Sequence, residues 1–338
     1  MTPFRSSLLL LSFFVGHAMA DSATGTFSFK DTANDHLDIV RNGKTVARWM
    51  YAHDTSTKER AAETYKPYLH VFDAEGTAPI TKGPGGQFTH HRGLFLGWMK
   101  ISADGVTVDR WHMKGGDQVQ TKFLSQSDKD GKATFTSAIN WASTTPDKNI
   151  LEEKRTLTLF NPPAPAYLGI DMTSVVKAVA GETKIDGDPE HAGLQFRPAD
   201  EVTKSETVYT YPVANANPHK DLDYPWVGET FVLAGKKYSV IYLNHPENPK
   251  GTIFSSYRDY GRFGGFFKTT LAANAELTLK VRLLIAEGAM PPVEFIQKAS
   301  NEFTGKNDPV PTITVKPAEG SGKAAPKPAK PAAPAPKS

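Results

Sequence analysis

Residues 276–285 read ELTLKVRLLI, and the placing of their apolar side chains decides the fold class. Leu277, Leu279, Val281, Leu283 and Ile285 recur at every second position, so in an extended chain they share one face while Thr278, Lys280 and Arg282 share the other. A helix would scatter the same side chains around its axis. The period of two returns in KATFTSAINW (132–141) and KKYSVIYLN (236–244). Turn residues fall between such runs in DAEG (73–76), ADG (103–105), DKDG (128–131) and LAGKK (233–237). Helical patterning is confined to a short stretch around PPVEFIQKAS (291–300). The chain is therefore expected to be all-β and too long for one small sandwich. A large antiparallel β-sandwich of two extended sheets, a supersandwich, accommodates it.

The ends of the chain have a different character. Arg5, an apolar run from Leu8 to Val15 and Ala18-Met19-Ala20 have the form of a signal peptide (1–20) cleaved after Ala20. No later stretch approaches the roughly 20 continuous apolar residues of a membrane helix, so no membrane span is expected and the product is expected to be periplasmic or secreted. The single sandwich domain is assigned to residues 21–306. Residues 307–338, rich in Pro, Ala and Lys, are expected to form a disordered tail. An exported chain with no cysteine has no disulfides, so a large core must hold it. Thiolate metal sites and cysteine nucleophiles are excluded with them. The net charge of +3 resides in the tail and in Arg5, leaving the body close to neutral; no nucleic-acid surface is expected.

Polar residues sharing strands with core residues are the informative departures. In ILEEKRTLTLF (150–160), Glu153 and Arg155 lie on the face of Leu151, Leu157 and Leu159. They point either into a cleft or at each other as an intra-strand ion pair. In GDPEHAGLQFRP (187–198), Ala192, Leu194 and Phe196 alternate with His191, Gly193, Gln195 and Arg197, with Glu190 just before. The second set suits hydroxyls and carboxylates better than plain solvent. YLNHPENP (242–249) ends a strand with His245 and Asn248, as a site or as a turn cap. FSSYRDYGRFGGFF (254–267) sets Arg258, Tyr260 and Arg262 among aromatic rings, the composition of a saccharide cleft or of an aromatic core beside a glycine bend. Trp226, in DLDYPWVGE (221–229), is either a sugar platform or a loop anchor.

GQFTHHRGLFLGW (86–98) places His90, His91 and Arg92 before a buried run. On an ideal strand His90 and Arg92 face one way with Leu94 and Leu96, and His91 the other way with Gly93, Phe95 and Gly97, whose glycines leave room. Adjacent strand residues cannot both ligate one ion without a bend or loop there, so His91 is read as functional, His90 as structural, and no metal site is assigned.

Taken in order, YLHVFDAEG, THHRGLFLGW, DRWH, EEKRTLTLF, DPEHAGLQFRP, YPWVGE, LNHPENP, YRDYGRFGGFF and LLIAEGAMPP resemble the PmoA-like family, a domain of unknown function. The resemblance covers most of residues 40–290, and HHRG followed by HP-x-N is its most specific part. Many members bear the label methane oxygenase PmoA. The membrane methane monooxygenase subunit crosses the bilayer several times, and nothing after the signal segment here would do so. The resemblance implies a galactose-mutarotase-like or polysaccharide-lyase-like sandwich, in a family often encoded beside sugar-processing genes.

The leading expectation is an exported carbohydrate-active protein using general acid–base chemistry on a small-molecule sugar or oligosaccharide, as lyase, hydrolase or epimerase, with no cofactor implied. His91, His191 or His245 would move protons with Glu153 or Glu190 as partner. His90, Arg92, Arg155, Gln195, Arg197, Trp226, Asn248, Arg258, Tyr260 and Arg262 would hold the substrate. A non-catalytic glycan-binding protein and a metal-dependent enzyme with a histidine cluster are the alternatives.

Overall fold

Asp104 and Gly105 both take positive φ (48° and 71°), the requirement of a type I′ turn, and join Lys100–Ala103 to Val106–Val108 as a tight hairpin. The computed structural model describes residues 25–145 and 147–320, and every strand pairing within these is antiparallel except one isolated bridge. The expected signal peptide and residues 321–338 lie outside the described residues.

Two large sheets face each other. The first orders its eight strands as Phe27–Thr32, His36–Arg41, Lys44–Met50, Tyr68–Val71, Leu94–Trp98, Ala192–Phe196, Phe263–Phe266 and Ile253–Phe254. The second orders nine, running from the edge strand Thr314–Pro317 through Val208–Tyr211, Trp226–Leu233, Lys236–Asn244, Glu276–Glu287, Ala166–Ala178, Asn149–Phe160 and Lys132–Ala142 to Gln118–Ser127. A smaller sheet of four strands lies beside them.

The alternation of residues 276–285 is satisfied as the sequence requires. Leu279, Val281, Leu283 and Ile285 enter the core between the sheets with Trp98, Phe135, Trp141, Leu157 and Ile170. Burying each such aliphatic side chain contributes roughly 1.5–3 kcal/mol. Leu284 faces the other way and joins Trp226, Ile241 and Leu243 under helix α2, Val293–Thr304, which covers the outer face of the second sheet. The outer face of the first sheet carries a separate cluster of Tyr68, Phe95 and Trp111.

Two expectations need correction. A helix absent from the periodic reading, α1 (Lys58–Thr64), forms where Thr57 accepts a hydrogen bond from the Arg60 amide. At seven residues it is too short to show a repeating apolar face. The tail also does not begin at 307. Thr314–Pro317 pairs with Val208–Tyr211, because β-branched residues interrupt the proline-rich composition there.

Candidate active site

The outer face of the first sheet is where the unusual side chains gather. In Ala192–Phe196, Leu194 and Phe196 point into the core, which turns Gly193 and Gln195 outward; the partner strand places Gly97 opposite Gly193 and Phe95 opposite Gln195. A Cβ on Gly97 would lie 2.3 Å from the Arg110 carbonyl oxygen. The room left by this glycine is therefore taken by the Arg110–His112 segment, which crosses against the sheet and delivers Trp111 and His112 to this face.

Two local turns of the same design hold two histidines. In DRWH, Asp109 Oδ1 accepts the amides of Trp111 (3.0 Å) and His112 (2.9 Å), and Oδ2 accepts from His112 Nδ1 at 2.8 Å. In DPEH, Asp188 Oδ1 accepts the Glu190 amide (2.8 Å) and His191 Nδ1 (2.9 Å). A carboxylate only accepts, so both imidazoles carry hydrogen at Nδ1 and leave Nε2 as the basic nitrogen. The two rings lie 5.3 Å apart, centroid to centroid.

The HHRG segment departs from the strand expected of it. The strand starts at Leu94; residues 86–92 form a turn in which Phe88 has φ 56° and the His91 amide donates to the Phe88 carbonyl. Alternation therefore does not apply, and both histidines reach the same place. Their centroids are 4.4 Å apart, His90 lies 4.4 Å from His112, and His91 lies 5.7 Å from Trp111 and 6.1 Å from Tyr260. Burial, reinforced by His112 and Lys66, lowers the His90 pKa to about 3. Burial and then the Arg262 charge push His91 well below the ordinary range. Both are neutral at pH 7. Beneath them Lys66 is buried against the Phe95 ring (4.2 Å) and donates to the Trp111 carbonyl (3.3 Å); burial lowers its pKa far below that of a free amine.

On the other side of His191 stands Glu190. Arg258 grips it with Nε (3.1 Å) and Nη2, and the Tyr257 hydroxyl donates to it at 3.1 Å. Burial opposes its charge, but the hydrogen bonds and charge of Arg258, with the charge of Arg262, outweigh burial and hold its pKa below the usual value. Arg262 Nη1 donates to Gln195 Oε1 at 3.0 Å, and Gln195 Nε2 to the Ala192 carbonyl at 2.9 Å. Phe88 is the exposed aromatic of this face, 5.0 Å from the Tyr260 ring.

His90, His91, Glu190, His191, Gln195, Arg258, Tyr260 and Arg262 are thus brought together, and seven other expected residues are placed elsewhere or fully engaged. Glu153 and Arg155 form a buried side-on ion pair in the interior (2.7 and 2.8 Å), completed by Trp141 Nε1 (2.9 Å) and the Ser174 hydroxyl (2.6 Å). Their strand lies inside the second sheet, so the pair faces the core rather than a cleft. Arg92 donates to the Ala62 and Glu63 carbonyls and caps the end of α1. Arg197 is taken by Asp200 and the Pro198 and Tyr260 carbonyls, fixing Tyr260 from below. Trp226 is fully buried beneath α2, donating to Gln297 at 3.2 Å, so it is an anchor and no platform. Asn248 bonds the Lys280 backbone as a turn cap, and His245 packs on Phe303 of α2 at 5.3 Å.

Asp109, Trp111, His112, Asp188 and Lys66 join the site without having been singled out from sequence. The recurrence of Asp-x-x-His in DRWH and DPEH is the signal that would have found four residues of it. Among the described residues no group of three or more His, Asp or Glu side chains has an arrangement that could hold a metal ion.

No curated protein matches the chain. Solved structures similar to it include a galactose mutarotase-like protein from Clostridium acetobutylicum, 10% identical, covering 78% of this chain and 98% of that one with a TM-score of 0.40. Another is a heparan sulfate lyase HepC mutant from Pedobacter heparinus, 9% identical, covering 79% of this chain and 37% of that one with a TM-score of 0.41. Residues 36–300 match a family of unknown function, DUF6807, and the chain belongs to that family.

Proposed function

We propose that the protein acts on a carbohydrate by general acid–base chemistry, with His112 and His191 as the proton-transferring pair. The observation that carries this reading is the pair of Asp-x-x-His turns, which hold two imidazoles with ring centroids 5.3 Å apart, each tied at Nδ1 and left with Nε2 as its basic nitrogen. An aspartate at Nδ1 fixes the tautomer and leaves the Nε2 lone pair as the atom that takes and returns a proton. One histidine, neutral, takes a proton at Nε2 from a sugar hydroxyl or carbon acid, while the other enters the step as the imidazolium and gives its Nε2 proton to the departing or ring oxygen, so the two exchange protonation states in each turnover. This division of labour serves elimination, hydrolysis and epimerisation alike. Phe88 offers an exposed ring face, and Glu190 and Arg258 at the rim offer hydrogen bonds to hydroxyls.

Kinship with the PmoA-like family and export through the N-terminal segment belong to the same reading; sequencing the mature N-terminus tests the latter, with Asp21 expected first. The oxygenase label does not, because no helix among the described residues is long and apolar enough to cross a membrane, whereas the membrane methane monooxygenase subunit crosses it several times. The functional test is a panel of neutral and acidic oligosaccharides assayed with wild type, His112→Ala and His191→Ala. Turnover lost in both variants at unchanged melting temperature supports the pair. Saccharide binding with no turnover by wild type makes the protein a non-catalytic glycan binder instead.

A further inference from the structure

Four arginines of this protein meet a carboxylate side-on, through one edge of the guanidinium. Nε and Nη2 project parallel N–H bonds that match the two oxygens of a carboxylate. Arg48 uses this edge on Asp38, Arg155 on Glu153, Arg258 on Glu190 and Arg282 on Asp171. Arg262 presents the same edge and has no such partner. It is 0% exposed, its Nη1 is spent on the neutral amide of Gln195, and neither Nε nor Nη2 has a hydrogen-bond acceptor. Glu190 Oε2 stands 3.9 Å from Nη2, beyond hydrogen-bond reach, with both oxygens already engaged by Arg258. Two guanidinium groups therefore share one carboxylate.

The floor around this edge is equally short of partners. His91, 3% exposed, has no partner at either ring nitrogen, and His90 Nε2 has none. The Arg262 charge is felt at His91 and disfavours a second positive charge there, which suits a neutral imidazole donating one hydrogen bond. A buried cation with a free fork beside neutral donors is costly unless an anion joins it.

We propose, building on the carbohydrate reading above, that the substrate is an acidic sugar whose carboxylate seats on the Nε and Nη2 edge of Arg262 beside His91. Glu190, at the rim with a side chain 26% exposed, occupies the approach and is the internal carboxylate that the uronate displaces from the shared arginines. A neutral sugar offers nothing that discharges the Arg262 edge.

Titration calorimetry on the intact wild-type protein tests this with three probes: an oligosaccharide ending in a uronic acid, its methyl ester, and glucose 6-phosphate. The expected result is binding of the free uronate at least tenfold tighter than the ester, with Arg262→Met erasing that difference. The ester comparison needs no variant, so a misfolded Arg262→Met leaves it decisive. Equal affinity for acid and ester, tighter binding of the phosphate, or no binding of any uronate overturns the assignment. Turnover of a neutral sugar that depends on His112 and His191 without preference for the acid sinks this proposal alone. Selective uronate binding without turnover upholds it and removes the acid–base reading.

Discussion

His112 and His191 stand with ring centroids 5.3 Å apart and planes tilted by 32°, each tied through Nδ1 to the aspartate three residues before it. The two segments are distant in sequence but built alike, and the close approach allowed by Gly97 brings one over the strand that follows the other. The relationship makes the aspartates positioning residues. In Asp188→Asn the amide still accepts the Glu190 N–H, but it no longer compels hydrogen onto His191 Nδ1 or supports the imidazolium. The expected outcome is a fall in kcat of about 10²–10⁴ with KM within a few-fold, read from steady-state kinetics on the best saccharide of the panel. A rise in KM at constant kcat would assign Asp188 to binding alone.

Acidification should destabilise the fold through neutral buried histidines. Burial holds His70 down to about 4 and His90 to about 3, and His91 is also held low by burial and the Arg262 charge. An unfolded histidine titrates near its ordinary value of 6.5, so the unfolded chain binds more protons between the folded values and 6.5. Stability is therefore complete above 6.5 and falls as pH drops through that window. Each histidine adds a slope of about 1.4 kcal/mol per pH unit. Glu190, whose folded pKa is depressed, loses its contribution only as pH falls below the carboxylate range, so the histidine effect is separable near pH 5–6. Urea midpoints level from pH 8 to 7 and declining from 6.5 to 5 are expected; a flat profile to pH 5 would mean that these rings protonate without cost.

The buried Glu153–Arg155 pair should behave as structure. Removing one partner leaves a buried charge alone, which costs about 3–5 kcal/mol, whereas replacing both with apolar groups of similar size is often neutral. Glu153→Gln should lower the denaturation midpoint accordingly, and the double substitution Glu153→Met, Arg155→Met should recover most of it. A folded double variant without saccharide turnover would return Glu153 to the chemistry.

The distinction between these residues and the site was only half visible in the sequence. The alternation around Leu194 and Phe196 places Gln195 on the outer face, as observed. The same rule applied to HHRG misleads, because Phe88 at φ 56° and Gly93 at φ 44° bend the chain before the strand begins at Leu94. An αL phenylalanine is rare enough that no local pattern announces it. His90 and His91 consequently share one place rather than opposite faces. Glu153 was equally ambiguous, since a charged residue on an apolar face reads alike for a cleft and for a buried pair until Trp141 and Ser174 are seen to complete its hydrogen bonds.

The edge strand Thr314–Pro317 yields the last prediction. It pairs with Val208–Tyr211, and the chain beyond it donates from the Glu319 amide to the Tyr257 carbonyl at 2.6 Å. Glu319 Oε1 lies 2.6 Å from His219 Nε2, and the His219 ring packs against Tyr257, tilted by 32° at 4.1 Å. Tyr257 and Arg258 in turn hold Glu190. The segment from Thr314 to Glu319 thus braces the loop that shapes the anionic side of the site. Truncation after Pro309 should leave kcat within a few-fold and raise KM or the saccharide Kd about tenfold, with a melting temperature several degrees lower from the lost strand. Kinetics that change in kcat alone would mean that the brace acts on the histidine pair, and unchanged kinetics would mean that the 257–260 loop keeps its place without it.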